Sequence, residues 1–136
     1  MIQVSNFASN TTTVRDITWR LTQGGSPNTN NNYYNRNYYM FGSSAGQYGP
    51  YTTTATSFYI GACDNTANTG FYINVENANT ATYTAYQYNG IFANTSNAWC
   101  WFGGGLHGVS SVYDGFQLLG NIDDLYGSCQ IYGYNK

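Results

Sequence analysis

One histidine, three cysteines and six carboxylates are the side chains in this 136-residue chain with obvious chemical potential. His107 stands in Gly103-Gly104-Gly105-Leu106-His107-Gly108. A nucleophilic triad needs a base beside an activated serine, and no G-x-S-x-G elbow accompanies this histidine. It reads instead as a loop or interface side chain. Cys63, Cys100 and Cys129 are widely spaced and form no C-x-x-C, so with a single histidine they offer no zinc pattern. Their odd number excludes a complete internal disulfide framework. Buried free thiols are the simplest expectation, and one disulfide plus a leftover thiol is the alternative. The carboxylates are Asp16, Asp64, Glu76, Asp114, Asp123 and Asp124. A glycosidase needs two of them across a sugar, and no pair sits in a recognisable motif. Asp123-Asp124 could give oxygens to calcium, but a solvated turn between the last two strands is the plainer account. Gly103 to Gly105 precede no helix, so they do not cradle a phosphate; they read as a hinge or a close-contact turn. The chain is expected to be no enzyme and to carry no cofactor or metal.

The aromatic clusters are the remaining candidates. Tyr33-Tyr34 and Tyr38-Tyr39 flank an Asn-rich stretch containing Arg36, and Trp99 and Trp101 point to one side if their segment is extended. Exposed Tyr and Trp rings stack on sugar faces, and Asn amides hydrogen-bond hydroxyls. The same residue types build protein interfaces and cores. Tyr33, Tyr34, Arg36, Tyr38, Tyr39, Trp99 and Trp101 are therefore candidate glycan or subunit contacts. Core packing is the competing role for the two tryptophans, and subunit contact or loop packing for the tyrosines.

The composition narrows the partners. Charged residues are only 7% and aromatics 18%, which argues against disorder, since so many rings can build a core. The four basic residues, Arg15, Arg20, Arg36 and Lys136, do not cluster, so neither nucleic acid nor an anionic membrane surface is an expected partner. No apolar run is long enough to span a bilayer. Met1 to Phe7 shows no basic n-region and no apolar h-region, so no signal peptide is expected. A neutral, hydroxyl-rich surface suits virion proteins, lectins and extracellular assemblies.

The elements that must position these residues are strands. Ala, Leu, Glu and Lys are scarce, while β-branched and aromatic residues dominate. In Val14 to Leu21, Ile17, Trp19 and Leu21 alternate with Thr18 and Arg20. Phe71, Ile73 and Val75 make the cleanest alternation. Further strands are expected at Ile2–Phe7, Tyr38–Phe41, Thr52–Gly61, Thr80–Asn89, Val109–Val112, Phe116–Leu119 and Ser128–Tyr132. Trp99 to Phe102 is an apolar cluster stopped by the triple glycine. Gln23–Asn37, Gly42–Pro50 and Ile91–Asn97 read as loops, and Asp64–Gly70 as a turn. Strands about ten residues apart, with turn signals between, predict an all-β, single antiparallel β-sandwich, jelly-roll-like, over residues 1–136.

The order of these signals resembles a group of small β-sandwich virion proteins and domains of tailed bacteriophages: tail-fibre tips, spikes and capsid-decorating proteins. Asp16 to Leu21, followed by a Gly/Asn-rich loop and the Tyr-rich Tyr38 to Gly42, carries part of the likeness. Gly70-Phe71-Tyr72-Ile73-Asn74-Val75-Glu76-Asn77 is similar to their central strand. Val109 to Val112, Phe116 to Ile122 and Gly127-Ser128-Cys129-Gln130-Ile131-Tyr132-Gly133 are similar to their closing strands. The resemblance implies a virion component made in the host cytoplasm and displayed on the particle surface. It also implies a homotrimer partnered by other virion proteins, but does not say whether the chain decorates a capsid or touches a host; a host surface glycan is a further candidate partner on the strength of the aromatic clusters. It brings no catalytic residues, and no coiled-coil stalk is evident. A free carbohydrate-binding module or lectin, or a subunit of an extracellular fibre, is the alternative.

Overall fold

Period-two alternation buries one side of the central strands, and the fold follows from joining those sides. Ile17, Trp19 and Leu21 are buried, as are Phe58 and Ile60, Phe71 and Ile73, and Tyr86 and Tyr88. The computed structural model describes residues 1–41, 44–48, 52–66, 68–93, 98–120 and 125–133. Every regular element among them is a strand: β1 (Ile2–Ser9), β2 (Arg15–Gln23), β3 (Ser26–Pro27), β4 (Tyr33–Phe41), β5 (Ser44–Tyr48), β6 (Thr52–Ala55), β7 (Phe58–Cys63), β8 (Asn68–Glu76), β9 (Thr82–Ala93), β10 (Ala98–Ser111), β11 (Gly115–Gly120) and β12 (Leu125–Ile131).

The strands form two antiparallel sheets packed together, an all-β, sandwich-like fold. The large sheet runs β12-β1-β8-β9-β10-β4-β5, with β6 also on β4. In the small sheet β2 pairs with β11, β3 and β7. One buried cluster draws on both sheets: Trp19 and Phe58 of the small sheet meet Tyr86 of the large one, with Trp19–Tyr86 centroids 5.3 Å apart and Phe58–Tyr86 centroids 4.1 Å apart. Gly127 (φ +148°) lies opposite the irregularity in β1, where Asn6 adopts φ +52°. A Cβ on Gly127 would press on Phe7.

Several expected boundaries are corrected. Tyr33 to Asn37 belong to β4 rather than to a loop. Asn35 and Asn37 are buried there, and Asn37 Oδ1 accepts a 2.9 Å hydrogen bond from the Tyr88 hydroxyl. A polar stretch can thus be strand when its amides are paired inside. Ser44 to Tyr48 also form a strand, and Ile91 to Ala93 extend β9. The expected Thr52–Gly61 strand is two strands in different sheets. The chain crosses between them at Thr56, whose carbonyl accepts from Arg20 Nε at 2.9 Å.

The triple glycine neither stops a strand nor makes a turn. β10 runs through it in continuous register with β4 and β9. A Cβ on Gly105 would collide with the Tyr34 carbonyl oxygen and reach the Tyr86 ring, so the glycine lets a neighbouring backbone approach closely. His107 consequently lies in β10 and is fully buried rather than in a loop. The expected turn at Asp64 is shorter than read, because β8 begins at Asn68; Asp64 Oδ1 accepts from Thr66 N at 2.7 Å. Asp123 and Asp124 lie outside the described residues.

Candidate functional site

The seven candidate residues divide by strand parity. On β4, Tyr33 and Tyr39 share one face with Asn35 and Asn37, while Tyr34, Arg36 and Tyr38 point the opposite way. On β10, Trp99 and Trp101 lie on one side, with ring centroids 5.4 Å apart.

Tyr33 is removed from any contact surface. Its side chain is completely buried against Phe58 and His107, with centroids 4.6 and 4.5 Å away. Its hydroxyl donates to the Asn28 carbonyl at 2.8 Å and accepts from Leu21 N at 3.2 Å. Burial pushes its pKa up to about 12, against the lowering effect of the Leu21 bond. Beside it, Asn28 Nδ2 donates to the Tyr113 hydroxyl at 3.1 Å, and that hydroxyl is 2.9 Å from His107 Nδ1. This is a core network, and burial lowers the His107 pKa although the backbone at Val109 opposes the shift.

Tyr39, Trp99 and Trp101 meet Tyr59 of β7 around a cleft of about 440 Å³. Trp101 is at the centre of the cluster: its ring centroid is 4.9 Å from Tyr39 and 5.6 Å from Tyr59. Trp99 stacks on Tyr39 at 6.0 Å and 18°. Trp101 is only 6% exposed, and its Nε1 is buried with no hydrogen-bond partner among the described residues. The small sheet adds Asp16 and Thr18, which alternate out of the Ile17–Trp19 core, and the large sheet adds Asn35 and Asn37. Burial raises the pKa of Tyr59, and the nearby Asp16 carboxylate raises it further. Asp16 is exposed at the cleft mouth, yet partial burial also raises its own pKa. The cleft thus combines four aromatic side chains, a carboxylate and two amides. Such a set can bind a ring by stacking and hydrogen-bond its substituents.

Comparison with family models, curated proteins and solved structures finds no match to this chain.

The other three candidates lie on the opposite face of the large sheet. Tyr38 stacks on Phe102 with centroids 5.4 Å apart and planes at 8°, and the Arg36 guanidinium is 6.0 Å from the Tyr38 ring centre. They border a shallow trough of about 370 Å³ floored by Gly103 and Gly104 and edged by Gln87 and Asn89. Tyr34 lies farther along, its ring where a Cβ of Gly108 would be. The structure therefore does not bring the seven residues together.

Sequence reasoning missed Asp16, Thr18, Asn35, Asn37 and Tyr59 as cleft residues. The available signal was parity: Tyr59 alternates with buried Phe58 and Ile60, and Asp16 with Ile17. The cysteines need a partial correction. No disulfide joins them, and Cys63 is buried, but Cys100 and Cys129 are exposed. Among the described residues, no group of three His, Cys, Asp or Glu could hold a metal ion.

Proposed function

We propose that this chain is a non-enzymatic β-sandwich subunit displayed on a phage particle, as a capsid decoration or a fibre or spike tip, and that it recognises a host surface glycan through the Tyr39–Tyr59–Trp99–Trp101 cleft. The cleft carries the recognition half of this reading. Tyr39, Tyr59 and Trp99 line the cleft with partly exposed rings, and such rings stack on the apolar face of a sugar while the polar lining meets its hydroxyls. The ordered likeness of the strand motifs to phage virion proteins, and a surface poor in charge, support the particle setting. Closed threefold assembly with other copies of the chain belongs to the same proposal.

A free carbohydrate-binding module is the second reading, favoured because one chain supplies every residue lining the cleft. Two measurements test and separate these readings. A glycan array with the purified chain should give hits that Trp99→Ala and Tyr39→Ala remove; an array without hits would end the glycan assignment. Co-purification with phage particles would keep the virion setting. Glycan binding by a chain that never accompanies particles would leave the free module.

A further inference from the structure

The cleft is aromatic on its walls and anionic at its mouth. Among the described residues, Asp16 is the one charged side chain lining it. Of the basic residues, Arg36 is on the trough face. Arg20, on the same face of β2 as Asp16, lies four residues along, or about 13 Å at strand rise. It is tied to Thr56 through the carbonyl at 2.9 Å and the hydroxyl at 3.4 Å. Arg15 precedes Asp16 on β2 and by alternation faces the other way, so among the described residues no guanidinium lines the cleft beside the carboxylate. Ring faces carry negative potential, so Trp99, Trp101, Tyr39 and Tyr59 add to the Asp16 charge rather than opposing it. An anionic sugar would meet repulsion from both, and a neutral sugar would leave the carboxylate unused. A cation satisfies both features, with the ammonium against the rings and beside Asp16.

We infer that the cleft selects glycans bearing an ammonium group, held between the aromatic walls and Asp16. This rests on the glycan reading above and narrows it. The ammonium could belong to an amino sugar or to a choline substituent, and both present the same chemistry.

The test is a two-dimensional NMR titration of the intact chain, near neutral pH, with glucosamine, glucose and choline. Glucosamine should bind roughly tenfold more tightly than glucose, which shares its ring and lacks the cation. Asp16→Asn, an isosteric change at an exposed position, should remove most of that preference, bringing glucosamine close to the affinity of glucose for the same variant. Choline binding tighter than glucosamine would assign a quaternary ammonium; the reverse order would assign an amino sugar. Equal affinity for glucose and glucosamine, or a preference that survives Asp16→Asn, would overturn the inference while sparing the glycan reading. Binding of neither glucosamine nor choline would overturn the inference as well, and the glycan array decides the glycan reading separately.

Discussion

Tyr59 of the small sheet and Trp101 of the large sheet meet edge to face, with ring centroids 5.6 Å apart and planes at 66°. The contact joins the two sheets and forms one wall of the cleft, so stability and recognition share a residue. Trp101→Ala should cost about 3–5 kcal/mol, the usual range for deleting a large buried ring. Tyr38→Ala, on the trough face, removes a half-buried ring and should cost far less. Urea unfolding of the two variants, read by far-UV circular dichroism, gives the comparison. A Trp101→Ala loss no larger than that of Tyr38→Ala would show that the cleft wall does not join the sheets.

The Tyr113–His107 contact makes stability depend on pH. Asn28 donates to the Tyr113 oxygen, which lies 2.9 Å from His107 Nδ1 inside the core. Burial lowers the His107 pKa below its ordinary 6.5. The unfolded chain therefore takes up a proton that the folded chain refuses as the pH falls through that value. Stability from neutral His107 is fully present above it and is lost progressively below it. Asp16 acts in the opposite direction at lower pH, because its raised pKa makes the folded state the better proton acceptor. Thermal melts between pH 8 and pH 5 should show a falling midpoint that flattens in His107→Gln. An unchanged slope in that variant would contradict the assignment.

Gly105 is the position on β10 least able to accept a side chain. The obstacle there is the Tyr34 carbonyl, a paired backbone group that cannot rotate away. Gly105→Ala should cost on the order of 1–3 kcal/mol or more. Gly133→Ala, with nothing within 4 Å of its Cβ, should stay within about 0.5 kcal/mol of the parent chain. Denaturant midpoints of the two variants test the difference.

Thiol reactivity should follow exposure. Cys100 and Cys129 are open to solvent and Cys63 is not. A colorimetric disulfide reagent should titrate two thiols in the native protein, with Cys129 the slower of the two because partial burial raises its pKa. The third should react only on unfolding. Three thiols reacting at once would place Cys63 outside the core.

How far the sequence could be read depended on the kind of signal. The strands around Ile17-Trp19-Leu21 and Phe71-Ile73 were legible because apolar residues alternate with polar ones there, and one face is buried. The start of β4 was not, because Asn-Asn-Tyr-Tyr-Asn reads as a loop until Asn35 and Asn37 are seen buried among Tyr86 and Tyr88. The path of β10 through three glycines was hidden for a related reason: the rings of Tyr86 and Tyr88, on a different strand, occupy the space that glycine leaves. In the cleft, the aromatic half was visible as clustered Tyr and Trp. Asp16 and Tyr59 were not, since only sheet packing brings residues 16, 59 and 101 to one place.

The most direct test of the central claim is the response of the three tryptophan indole N–H resonances to a glycan found on the array. Trp99 and Trp101 line the cleft, whereas Trp19 is buried in the core and serves as an internal control. Binding in the cleft should shift the Trp99 and Trp101 signals in a saturable way and leave Trp19 in place. A bound glycan that leaves Trp99 and Trp101 unmoved would place recognition elsewhere on the molecule and contradict the account.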